Sequence, residues 1–249
     1  RSYSEMFTGE TTNVTNPELI WGTTQNVTDQ QDVVFPLKLG GNSSISIPQR
    51  IVDAYRMADG RDIHNASAEY PYEDRPYDQT CVTTADKQLS KNYRLPGGTY
   101  KAYDNREPRF YASILYNDAT WIGRKLELYA GGKDNYMDFS ITGQDNVHKS
   151  TTGYIFRKFM DDSGKVNFTN ILSGTYWTEM RLAEIYLIRS EAYARQNQFG
   201  PAYEDLRTIR DRVGLPVLAQ KGNWQDYLHD LAKERICELG LEGHRFFDL

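Results

Sequence analysis

From residue 178 onward, apolar residues recur at helical spacing. Leu182, Ile185, Tyr186 and Tyr193 share one face of a helix predicted over 178–197, with Thr178 as its N-cap and Asn197 at its end. Phe199-Gly200-Pro201 reads as a tight turn that places Pro in the first turn of the next helix. Over 201–213, Ala202, Leu206, Ile209 and Val213 form one stripe, closed by Gly214 and Pro216. A third helix starts at Asn223, turns Leu228, Leu231, Ile236 and Leu239 inward, and ends near Gly240 and Gly243. Ahead of residue 177 the pattern changes: apolar runs are short and Gly, Pro, Asn and Asp are frequent. Leu19 and Trp21 alternate in a short strand, and Val33-Val34-Phe35 suggests another. Residues 48–56 read as a short helix closed by Ala58-Asp59-Gly60, and 110–116 and 153–159 as strands. The polar stretch 61–103 has no periodicity, and a loop of that length is functional or disordered. The fold class is therefore mainly α: a loop-rich, partly β region at 1–177 and a helical region at 178–249, both parts of one domain.

The first two helices have a recognisable register. Tyr186, Ser190, Tyr193, Phe199, Ala202 and Leu206 follow one another as in a single tetratricopeptide repeat, with small residues where the helices approach and aromatics in the groove between them. No second copy is found. A lone repeat cannot bury both its faces, so its neighbours come from residues 1–177 or from sequence beyond this chain. The opening Arg1-Ser2-Tyr3 and the closing Phe247-Asp248-Leu249 carry no turn or stop signal, which reads as a segment of a longer protein.

Composition narrows the function classes. The chain has 249 residues, 25% of them charged, and a net charge of −5 without a basic cluster, which argues against nucleic acid as a partner. No apolar run is long enough for a membrane span. Cys81 and Cys237 have no metal-ligand spacing and are expected to be reduced and inert, and the four histidines form no ligand motif, so neither metal nor cofactor is expected. Phosphate-binding loops, His-Glu-x-x-His and the nucleophile elbow are absent, so no catalytic residue is assigned. Glu234, Arg235, Glu238, Glu242 and Arg245 are expected to form ion pairs that lock the last helix, and Asp104, Arg106, Glu107 and Arg109 around Pro108 are likewise read as structural.

Tyr stands out, at 18 residues. Tyr70, Tyr72, Tyr77, Tyr93 and Tyr100 fall within or beside a stretch with no apolar periodicity, interleaved with Arg75 and Asn92. Aromatic faces cover the C–H faces of sugar rings while polar side chains bond the hydroxyls, so these residues are the candidate ligand contacts. Trp121 is a further candidate.

Four passages together resemble the SusD/RagB family: residues 52–60, 103–111 with Trp121-Ile122-Gly123, 152–159, and 180–192 continuing through 209–215 and 234–249. The resemblance implies a tetratricopeptide-type helical scaffold carrying a loop-rich, ligand-binding region. It implies a non-enzymatic, lipid-anchored protein of the outer-membrane surface. Such a protein binds an oligosaccharide and delivers it to a SusC-type TonB-dependent transporter. A RagB-like capture of peptides on the same scaffold is the alternative, and a glycoside hydrolase a more distant one. Measured against the family, the N-terminal half is absent, and with it part of the ligand site.

Overall fold

The computed structural model describes residues 3–7, 15–23, 45–73, 101–128, 133–134, 150–160, 176–246 and 248. Strand β1 (Leu19–Thr23) is followed by helix α1 (Gln49–Ala54), helix α2 (Pro108–Ser113) and strands β2 (Ile114–Leu115), β3 (Thr120–Trp121), β4 (Arg124–Lys125), β5 (Ile155–Phe156) and β6 (Trp177–Arg181). Helices α3 (Leu182–Arg195), α4 (Phe199–Arg212) and α5 (Trp224–Leu239) complete it. The mainly α architecture agrees with the sequence reading.

α3 and α4 form the expected hairpin. Asn197 ends α3 in the left-handed region, at φ 59°. Where the helices meet, Ala202 is fully buried and the Ser190 hydroxyl donates to its carbonyl at 2.6 Å. Ser190 also shares a 2.6 Å hydrogen bond with Tyr227 of α5, so one small residue serves both helix contacts. Leu187, Ala194, Phe199, Leu206, Ile209 and Leu231 fill the space between the three helices. Asn223 caps α5, its side chain accepting from the Asp226 amide at 2.9 Å.

The start of α3 departs from expectation. Thr178 does not cap a helix; it lies buried in β6, which pairs antiparallel with β1. The ladder aligns Gly22 with Thr178 and Thr23 with Trp177, and a Cβ on Gly22 would stand 2.8 Å from the Trp177 carbonyl. The helical period thus begins only at Leu182, because a partner strand more than 150 residues away claims the preceding turn. The stripe on α3 also reads differently. Leu182 and Ile185 are exposed, as is Ile188, while Leu187 and Ala194 point inward. α3 is apolar on opposite sides, so spacing alone did not say which side α4 would cover. Leu228 is likewise exposed and Ile236 only half-buried.

Two further expectations change. Residues 110–116 are not one strand: Pro108 at the first helical position starts α2, and only Ile114–Leu115 pair with β5. Of 153–159 only Ile155–Phe156 are strand. The Val33–Phe35 strand lies outside the described residues.

The expected ion pairs at the last helix extend well beyond it. Arg109 of α2 bonds Glu107 at 2.7 Å, Glu234 at 2.6 Å and Glu238 at 3.1 Å. Arg210 holds Glu234 at 2.9 Å, and Arg181 holds Glu238 at 2.7 Å and Glu242 at 2.6 Å. Arg212 joins Glu238 to Glu18, and Lys158 reaches Glu242 at 2.6 Å. Five cations thus meet five carboxylates, nearly all of them buried. Burial alone would raise the carboxyl pKa of Glu238, but Arg181, Arg212 and Arg109 hold it well below the usual range. Arg181 and Lys158 do the same for Glu242, and Arg109 and Arg210 for Glu234. Arg235 pairs with Asp248 at 2.6 Å.

Ala202→Leu should overfill the hairpin contact and cost about 1–3 kcal/mol, read as a lowered melting temperature; an unchanged melt would contradict the contact. The carboxylates of the buried cluster have folded pKa values below the unfolded value near 4.5, so their stabilisation is present above that pH and lost as pH falls through the folded values. Chemical denaturation midpoints should therefore drop below about pH 4.5. Glu238→Gln should cost about 3–5 kcal/mol at neutral pH by leaving its arginines unpaired, and should flatten that pH dependence.

Candidate functional site

The residues just ahead of the ion cluster build a pocket. Glu107 turns inward to Arg109, while its Oε1 accepts from the Arg56 amide at 2.8 Å and its own amide donates to the Arg56 carbonyl at 2.9 Å. These bonds fasten the segment carrying Arg106 to the end of α1. Arg106 then lies under α1, donating from Nη2 to the carbonyls of Val52 (2.6 Å) and Tyr55 (2.8 Å), and from Nη1 to Ala102 (3.1 Å). The Val52 and Tyr55 carbonyls need donors at the end of a six-residue helix, and the guanidinium supplies them. The ring of Phe110 lies 4.7 Å from the guanidinium carbon and that of Tyr72 5.8 Å from it. Burial, offset only in part by Tyr72, Glu107 and Asp53, leaves the Arg106 pKa below its ordinary value.

Above Arg106 opens a cavity of about 320 Å³. α1 lines it with Gln49, Val52 and Asp53, which its i, i+3, i+4 spacing puts on one face. Ile63 and His64 come from a short 3₁₀ turn, Ile63–Asn65, that is anchored to α5 where Lys233 bonds Asp62 at 2.6 Å. Tyr72, Ala102, Tyr103, Arg106 and Tyr154 close the wall. A directional relay runs across it. Tyr103 donates to the Tyr154 hydroxyl at 3.2 Å, Tyr154 to Gln49 Oε1 at 2.9 Å, and Gln49 Nε2 to Asp53 Oδ1 at 2.8 Å. Burial is the main cause of the raised Tyr154 pKa, so it stays a neutral donor. Three tyrosine rings beside one carboxylate, one amide and one imidazole can bind a polyhydroxylated ring, covering its apolar face and bonding its rim.

The sequence matches the family model of the SusD family over residues 17–249. The chain belongs to the SusD family. Solved SusD-like structures share the fold. One SusD-like protein of Bacteroides fragilis is 26% identical with a TM-score of 0.70, over 99% of this chain and 45% of its own. A SusD-like carbohydrate-binding protein of the same species is 22% identical with a TM-score of 0.72, over 99% and 44%. The chain thus spans less than half the length of these solved proteins. A comparison with curated proteins finds no match.

Of the tyrosines singled out in the sequence, Tyr72 is half-buried in the pocket wall. Tyr70 is half-buried nearby, its amide bonded to the Ser67 hydroxyl at 3.1 Å, and does not line the cavity. Tyr77, Tyr93, Tyr100, Arg75 and Asn92 lie outside the described residues. Trp121 was expected at a ligand surface and is instead 1% exposed. It ends β3 at a two-residue hairpin whose turn residues, Ile122 and Gly123, both have positive φ, and this turns the indole onto Leu115, Leu126, Leu128 and Ile155. Sequence reasoning missed Gln49, Asp53, Tyr103 and Tyr154. The spacing of 49, 52 and 53 on a short helix was the one available signal. The tyrosines at 103 and 154 sit in passages that carry the family resemblance, and nothing in their local pattern sets them apart. Cys237 is buried with burial pushing its thiol pKa up, and Cys81 lies outside the described residues. Among the described residues no cluster has the makings of a metal site.

The burial of Trp121 gives a direct test. Trp121→Ala should cost about 3–5 kcal/mol of stability, seen as a large fall in denaturant midpoint. Protein that remains folded should bind ligand as before; a binding loss without a stability loss would return Trp121 to the site.

Proposed function

We propose that this SusD-family chain captures an oligosaccharide in the pocket between α1, the Ile63–Asn65 turn and Tyr154. The observation that carries the reading is the pocket's make-up: the rings of Tyr72, Tyr103 and Tyr154 stand beside a hydrogen-bond relay ending on Asp53. A solved relative of the same fold is described as carbohydrate binding. Asp53 is the single carboxylate among the described lining residues, and glycoside hydrolysis uses a pair, which favours capture over cleavage. Within the whole protein the captured glycan passes to a SusC-type TonB-dependent transporter at the outer-membrane surface, where a lipid anchor holds the protein. None of the described helices is long and apolar enough to cross a membrane. The two domain-like regions, 1–177 and 178–249, then divide the work, the first meeting ligand and the second holding it in place.

Tyr72→Ala tests the pocket. Tyr72 is half-buried at the wall, so its loss should leave the melting temperature within a degree or two while weakening glycan binding about tenfold by titration calorimetry. Capture of peptides in place of any glycan would instead favour the RagB-like role, and release of reducing sugar would favour hydrolysis.

A further inference from the structure

Resting on the glycan reading, we infer that Asp53 makes this pocket select neutral, hydroxyl-rich sugar units and exclude units that carry a carboxylate. Two opposite charges border the cavity, and the structure separates their duties. Arg106 is 3% exposed, with three main-chain carbonyls on its Nη atoms and the Phe110 and Tyr72 rings near its guanidinium. Both its Nη atoms are engaged by main-chain carbonyls, two of them from the end of α1, so it meets the cavity as a buried floor. Asp53 is half-buried on the cavity face of α1, and among the described residues its carboxylate accepts a hydrogen bond from Gln49 alone.

The relay decides what a ligand can add. Tyr103 gives its proton to the Tyr154 oxygen, Tyr154 to the Gln49 carbonyl, and Gln49 an N–H to Asp53. Both tyrosine hydroxyls and one Gln49 N–H are spent on the next member, and the relay ends on an anion. What it presents to a ligand is the second N–H of Gln49 and, as its charged group, the Asp53 carboxylate, which can only accept. A neutral sugar unit supplies O–H donors, and a hydrogen bond to a carboxylate is among the stronger ones. A uronate has lost its donor at the charged carbon and brings a like charge to a partly desolvated anion. Rejection by an unpaired like charge is a general way to build specificity.

The test uses the native protein, Asp53→Asn and Asp53→Glu on a glycan array carrying neutral and uronate-bearing oligosaccharides, with calorimetric titration of the glycans retained. The inference expects wild type to retain neutral glycans only. Asp53→Asn should bind them about tenfold more weakly and lose its discrimination against uronates, and Asp53→Glu should keep that discrimination. Thermal melts of all three establish that the variants are folded. Retention of uronates by the wild type, or undiminished neutral binding with unchanged discrimination in Asp53→Asn, overturns the inference while leaving glycan capture intact. If no glycan of either kind is retained by folded wild type, both the inference and the glycan reading fall.

Discussion

Glu234 and Glu238 sit one turn apart on α5, fully buried, with Glu242 just beyond the helix end. Three buried carboxylates so close together are untenable unless cations come to them. Those cations arrive from α2, from the segment after β5, from β6 and from α4, as Arg109, Lys158, Arg181, Arg210 and Arg212. Most of the described fold follows from this demand. α2 must lie against α5, β6 must bring Arg181 in just before α3 begins, and the Lys158 ammonium must bond the main-chain carbonyls of Glu238 and Gly240 as well as Glu242. Such a cluster adds little net stability over an apolar core, but mispaired alternatives would strand a charge, so it favours one arrangement.

The pocket is the outer side of the same construction. Glu107 and Arg109 belong to the ion cluster, and Arg106, their neighbour, faces the other way and caps the carbonyls of α1. The position of α1 relative to the pocket floor is thus set by residues 106–109, in which Arg106 holds α1 while Glu107 and Arg109 join the ion cluster. On the far side, Lys233 of α5 reaches Asp62 and fixes the turn that brings Ile63 and His64 to the rim. The candidate pocket is thus assembled from short pieces of chain, and two of them, the Arg106 segment and the turn after Asp62, are tied to the ionic interior or to α5.

Aromatic residues illustrate how far sequence patterns reach. The tyrosines of 61–103 stood out because no periodicity explained them, and Tyr72 does border the pocket. Trp121 stood out for its size alone, and a positive-φ hairpin turn sends it into the core. Tyr103 and Tyr154, more than fifty residues apart, share a hydrogen bond that no local pattern encodes. Asp53 is one charged residue on a six-residue helix, and its significance depends on Gln49 and Tyr154 standing where they do.

The helical spacing, the Asn223 cap, the small residues at 190 and 202 and the Asn197 and Gly214 stops are local or one-turn features, and the sequence by itself determined the three C-terminal helices and their hairpin through them. It also determined that the charges near α5 would pair, because carboxylates at that density must. Tertiary structure alone decided the partners and the faces. A strand at 19–23 turned the first turn of an expected helix into β6, since backbone groups pair with whatever the fold brings beside them. α3, apolar on two sides, buried the side α4 reached, and the pocket formed where chain segments far apart in sequence were drawn onto one ionic core.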